Sequence, residues 1–180
     1  MIIIAVCVGA LACTNDPTTD PADQAGRSRF PQRPAVVDPA AVPPCGVLTK
    51  PQQAELGIYA SQAGDVNVDG SPSPGCGYLS SDVFDYNTQT IPVGADAAIQ
   101  LPGSEVVHVN GFGAVRNRPD DSFSTRPTCQ VAIDAAPGQT IRVQVSTAPN
   151  GTPVGEEQLC RRATDVASMV MDTVVAATSR

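Results

Sequence analysis

Asp65, Asn67 and Asp69 place oxygen donors at alternate positions ahead of Gly70, which is how an EF-hand calcium loop opens. Such a loop closes on a bidentate glutamate at its twelfth position. Here that position is Cys76, and Pro72 and Pro74 interrupt the run. A flexible Asx/Gly loop with at most weak Ca²⁺ affinity is therefore expected, and no metal or cofactor is assigned. His108 is the only histidine and the natural candidate for a general base. Ser and Asp residues are numerous enough for a Ser-His-Asp set, but no Gly-x-Ser-x-Gly elbow frames a nucleophile. His108 is expected on a strand face without a catalytic role. Glu156-Glu157 could suggest the paired carboxylates of glycoside hydrolysis. Neighbouring residues on a helix point about 100° apart, however, and acids at a helix start are explained by the macrodipole. Arg116, Arg118 and the pair Arg161-Arg162 read as solvated surface.

The cysteines carry more. Cys13 follows an uncharged apolar run from Ile2 to Ala12 that ends Ala10-Leu11-Ala12, and it precedes the polar Thr14-Asn15-Asp16-Pro17. This junction has the form of a bacterial lipobox, in which the cysteine is acylated and becomes the mature N-terminus. Leu11 stands one place nearer the cysteine than is usual, and Cys7 is the poorer candidate because Val6 precedes it. As a helix the apolar run would be roughly 16 Å long against a hydrocarbon core of about 30 Å, so residues 1–12 are read as a signal peptide, not a span. No Lys or Arg precedes Ile2, which suggests a basic segment upstream of Met1. Ordinary signal-peptidase cleavage after Ala12 is the competing outcome. Diacylglycerol and palmitate-type chains bury methylenes at ~0.8 kcal/mol each, so the anchor would be durable.

Residues 13–44 are expected to be the lipidated Cys13 and a disordered tether. From Thr14 to Pro44 there are seven prolines and few bulky apolar groups. Residues 45–180 are then one folded domain. The net charge of −7 argues against nucleic acid and against an anionic membrane surface as partners. With no Trp and 4% aromatic residues there is no stacking platform for bases or sugars.

The elements that must position these residues follow from periodicity. Thr49 caps a short helix that Gly57 ends. Gly64 to Gly75 reads as a loop and Cys76 to Ser80 as a strand. Short extended segments are expected near Ala97–Leu101, Glu105–Val109 and Phe112–Arg116. Cys129, Val131 and Ile133 alternate with Gln130, Ala132 and Asp134. Ile141, Val143 and Val145 alternate with Arg142 and Gln144. Pro137-Gly138 joins the two runs into a hairpin with one buried face. From Glu156 to about Ala177, Leu159, Ala163, Val166, Val170 and Val174 share one helix face, with Arg161, Asp165, Ser168 and Asp172 opposite. The fold class is α+β: an antiparallel sheet with a short N-terminal helix and a long C-terminal helix packed on it.

Apart from Cys7 and Cys13 four cysteines remain, and an even number outside the cytoplasm favours two disulfides. Zinc is the weaker reading, since the spacings are wide and there is one histidine. Three connectivities are possible. The hairpin starts at Cys129 and ends at the same edge, ten residues before the helix that carries Cys160. Cys129–Cys160 is thus the pairing of lowest cost, which leaves Cys45–Cys76.

Pro44-Cys45-Gly46-Val47-Leu48-Thr49, Gly75-Cys76-Gly77-Tyr78, Gly111-Phe112-Gly113-Ala114-Val115, Cys129-Gln130-Val131-Ala132-Ile133 and Gln158-Leu159-Cys160-Arg161-Arg162-Ala163 together resemble the actinobacterial DUF3558 lipoproteins. The similarity covers Pro44 to Val175, with Tyr78 where the family often has Trp. It implies a cell-envelope location and an actinobacterial source, and it supplies no catalytic residues. The expected function is a non-enzymatic domain on the extracytoplasmic face of the cell membrane. It would be held there through lipidated Cys13 and would bind an envelope protein or a small envelope ligand. The alternatives are an envelope hydrolase using His108, or a structural or secretion-accessory lipoprotein.

Overall fold

The structure is a computed structural model that describes residues 29–68, 70–119, 126–149, 151–152 and 154–179. Its centre is one seven-stranded antiparallel sheet: β1 (Ile58–Val68), β2 (Ser71–Ser80), β3 (Phe84–Ile91), β4 (Glu105–Val109), β5 (Phe112–Asn117), β6 (Thr128–Ala136) and β7 (Gln139–Thr147). The strands lie in the order β1-β2-β3-β7-β6-β5-β4. Helix α1 (Lys50–Glu55) precedes the sheet and helix α2 (Glu156–Thr178) follows it. The α+β class, the antiparallel sheet, both helices and both disulfides are as the sequence indicates.

Alternation along the strands decides which face is the core. Val131 and Ile133 of β6, Val143 and Val145 of β7, and Phe112 and Ala114 of β5 point to one side, the inner face, and are fully buried. Onto them α2 lays Leu159, Ala163, Val166, Val170 and Val174, joined by Ala167 and Met171, all buried. Burying each Val or Leu side chain contributes about 1.5–3 kcal/mol, so this layer is the main stabilising term. Arg161, Asp165 and Asp172 face water on the far side of α2. At α1 a capping box fixes the start. Gln52 N–H donates to Thr49 Oγ1, and the Gln52 side chain accepts from Thr49 N–H at 2.7 Å.

Three segments depart from the sequence-based expectation. Gly64–Gly75 is not a loop: β1 and β2 form a hairpin from Ile58↔Ser80 to Val68↔Ser71. Its prolines hid it. Pro72 and Pro74 lack the N–H that a central strand needs, but β3 pairs with β2 only from Gly75 onward, so neither proline interrupts a ladder on that side. Ala97–Leu101 is not extended, since Ala95–Gln100 forms a 3-10 helix. Strand β3 was not anticipated at all.

The fourth departure is the proline-rich stretch. From Arg29 to Pro44 the expected tether lies against the domain as a strap. Phe30 packs with Val115, Ala132 and Ala95 on the outer face of the sheet. Arg33 Nη2 meets Asp134 Oδ1 at 2.7 Å, and its Nε donates to the Asp134 carbonyl at 3.2 Å. Val37 then enters the inner core, and Asp38 N–H donates to Thr178 Oγ1 at the end of α2. A few well-placed apolar and charged side chains suffice to dock a segment whose composition alone reads as disordered. The signal peptide, Cys7, Cys13 and the first part of the tether fall in residues 1–28, outside the described residues.

Candidate functional site

The four downstream cysteines pair as Cys45–Cys76 and Cys129–Cys160, each across 31 residues of sequence with Cα atoms 5.1 Å apart. The first ties the strap to β2. The second ties the start of α2 to β6. They staple the sheet at two places.

Of the calcium-like hexapeptide, Asp65, Asn67 and Gly70 lie at the hairpin tip. Asp65 and Asn67 lie on β1 opposite Pro74 and Pro72, and Gly70 has φ +79°, the conformation a tight hairpin turn requires. Asp69 lies outside the described residues. Among the described residues no cluster of three or more His, Cys, Asp or Glu is placed to hold a metal ion. His108 is exposed on the edge strand β4, opposite Gly113.

The charged residues that read separately as surface do converge. At the end of the sheet where α2 begins, a cleft of about 430 Å³ is lined by Glu105, Arg116, Arg118, Glu156 and Glu157. Arg116 pairs with Glu105 at 2.6 Å, Arg118 pairs with Glu156, and Glu157 pairs with Arg161 at 2.8 Å. The hydrogen bond from Arg116, seconded by its charge, holds the Glu105 carboxyl below its ordinary value. Each acid here is satisfied by a neighbouring arginine. These are solvent-screened ion pairs, of which Arg118–Glu156 alone bridges α2 and the end of β5.

The outer face of the sheet is different. The 3-10 helix Ala95–Gln100 and Phe30 pack on β5 and β6, and Thr140 of β7 donates to the Val93 carbonyl ahead of that helix. Along one row of the register, Asn117 of β5 stands opposite Gln130 of β6, Gln130 opposite Gln144 of β7, and Gln144 opposite Asn87 of β3. The row continues through Gly77 of β2 to Gln62 of β1. Above Gly77 there is open space. None of these five amide side chains is hydrogen-bonded to another described residue. Asn117 is only 4% exposed, and its Oδ1 is buried without a partner.

In the adjoining row, Arg142 of β7 lies between Ala132 and Gln89. Arg142 Nη2 donates to Gln89 Oε1, and Gln89 Nε2 donates to Ser73 Oγ at 2.8 Å. Ser73 in turn donates to the Thr90 carbonyl at 2.6 Å. This chain of bonds aims the guanidinium. Its Nε is buried without an acceptor, it forms no ion pair among the described residues, and burial pulls its pKa below the ordinary value. The hairpin alternation already separates Gln130, Arg142 and Gln144 from the core. Asn87 and Gln89 escaped notice with β3, although Phe84-Asp85-Tyr86-Asn87-Thr88-Gln89 alternates as a strand should.

The class defined by these features is a disulfide-stapled α+β domain with one sheet face buried under the long helix and the other part apolar, part polar. Over residues 8–173 the sequence matches the family described as "Protein of unknown function (DUF3558)", and the chain belongs to that family. No curated protein and no solved structure matches it. Among the described residues no helix is long and apolar enough to cross a membrane.

Proposed function

We propose that this chain is a lipid-anchored, extracytoplasmic domain that binds a component of the cell envelope through the outer face of its sheet. The observation that carries the reading is the outer face itself. The outer face is covered in part by Phe30 and the 3-10 helix, and the rest of it presents a row of amides without protein partners beside a guanidinium that has no ion-pair partner among the described residues. Buried polar groups without partners, here Asn117 Oδ1 and Arg142 Nε, are costly in a fold that serves structure only.

The location rests on different support. Two disulfides suit an oxidising compartment, and Cys13 follows an apolar run of signal-peptide length. The hydrolase alternative using His108 gains nothing from the geometry. The imidazole stands exposed at a sheet edge, and Glu156 and Glu157 are engaged with Arg118 and Arg161.

Fractionation of cells that express the native chain and Cys13→Ser tests the anchor. The native chain should partition with membranes and yield an acylated N-terminal peptide that begins at Cys13, and the variant should appear in the soluble extracytoplasmic fraction. An unmodified Cys13 in a membrane-bound chain would refute the anchor.

A further inference from the structure

We infer that the amide row and Arg142 together form a binding site for an extended, polyhydroxylated chain that carries anionic groups. The inference deepens the proposed binding role of the outer face and rests on it.

Geometry and chemistry both lead there. Asn117, Gln130, Gln144, Asn87 and Gln62 line up across six strands, which at the usual strand spacing is roughly 24 Å. Each amide offers an N–H₂ donor and a carbonyl acceptor, the combination that pairs with hydroxyl groups, which both donate and accept. A row of such groups at the repeat of the sheet suits a ligand that repeats its own hydroxyls along a line. A compact ligand would engage only one or two of them. The gap above Gly77 leaves room for a ligand to approach the backbone midway along the row.

Arg142 supplies the charge preference. It lies two residues from Gln144 on the same strand and the same face, so its head borders the row. Gln89 and Ser73 hold it in place; Nε is buried and Nη2 already donates to Gln89, so the Nη1 side of the guanidinium is what remains to meet a carboxylate or phosphate oxygen. A polyanion without hydroxyls would leave the amide row unused and would have Arg142 as its main hold, and against the net acidity of the chain, 18 Asp and Glu to 11 Lys and Arg, any anionic ligand needs the amide contacts as well. An extended peptide is the poorer occupant, because its main chain binds sheet edges, and this site lies across the middle of a sheet.

The test uses the full chain as Cys13→Ser and four probes: a linear oligogalacturonate, a poly(glycerol phosphate), a neutral cello-oligosaccharide and poly-glutamate. Binding is followed by the side-chain amide resonances of Asn and Gln and by calorimetry. Both acidic polyols, or one of them, should bind and shift the Asn87, Gln130 and Gln144 amide signals. Which one binds tells carboxylate from phosphate. Gln144→Ala should weaken that binding about two- to tenfold, the worth of one hydrogen bond, and Arg142→Gln about tenfold or more. Arg142→Gln should also abolish the preference over the cello-oligosaccharide. Asn87→Ala serves as a second variant, and unchanged melting temperatures confirm folding.

The inference is overturned if poly-glutamate binds as tightly as the acidic polyols, if the variants leave binding unchanged, or if no polyol binds. In the last case a crosslinker at position 144 that still captures an envelope component in intact cells would leave the binding role of the face standing and remove only the ligand class. Failure of both would remove both.

Discussion

Phe30 occupies the space directly above Gly113: a Cβ on that glycine would come within 2.5 Å of the Phe30 side chain. The contact explains why a proline-rich segment docks. Gly113 makes a shallow seat in β5, bordered by Val115 and Ala132, into which one aromatic side chain fits. The strap then has a second hold at the Arg33–Asp134 pair before it crosses to the inner core at Val37.

Gly113→Ala should therefore destabilise the domain by about 1–3 kcal/mol through overpacking. In a Phe30→Gly background, which removes the Cβ as well as the ring, the same substitution should cost almost nothing. A double-mutant cycle in urea measures the coupling. Equal costs in both backgrounds would mean that the strap does not sit on β5.

Removing either disulfide as a Cys-to-Ala pair should cost about 3.5 kcal/mol, because both close loops of the same length. Denaturation midpoints of the two double variants check this. Non-reducing peptide mapping should join Cys45 to Cys76 and Cys129 to Cys160; a Cys45–Cys129 peptide would contradict the fold.

Tyr86 gives a pH signature. Burial pushes its phenol up to about 12, against the partly opposing charge of Arg162. The unfolded chain loses that proton first, near the ordinary value of 10.0, so the unfolded state binds fewer protons between the two values. Stability should be full below about pH 10 and decline as the pH rises toward 12. Tyr78, also raised by burial, acts in the same direction. Tyr86→Phe should reduce the alkaline loss. The Tyr86 hydroxyl is buried with no partner among the described residues, so the variant should be neutral or slightly stabilising at pH 7. Chemical denaturation from pH 7 to 11.5 measures both effects.

Much of this fold was legible where burial is one-sided. The β6–β7 hairpin and α2 each bury one face and wet the other, so their periods of two and 3.6 show plainly. The pairing of Cys129 with Cys160 followed from those two elements. β1 was opaque for the opposite reason. It is exposed along almost its whole length, so no apolar alternation marks it, and the glycines and prolines of residues 64–75 read as a loop where Gly70 turns a hairpin. The strap escaped because its docking depends on Gly113 and Asp134, a hundred residues away in the middle of other elements. The same holds for the amide row. Gln130 and Gln144 are neighbours across one hairpin, but only the sheet order, with β3 inserted beside β7, brings Asn87 into line with them.

The central claim is that the outer face of the sheet is the working surface. Photo-crosslinking in intact cells tests it most directly, with a photoreactive residue at Gln144 on that face and, in a second variant, at Asp165 on the exposed side of α2. The account predicts an envelope adduct from position 144 and none from position 165. An adduct from position 165 alone would contradict it.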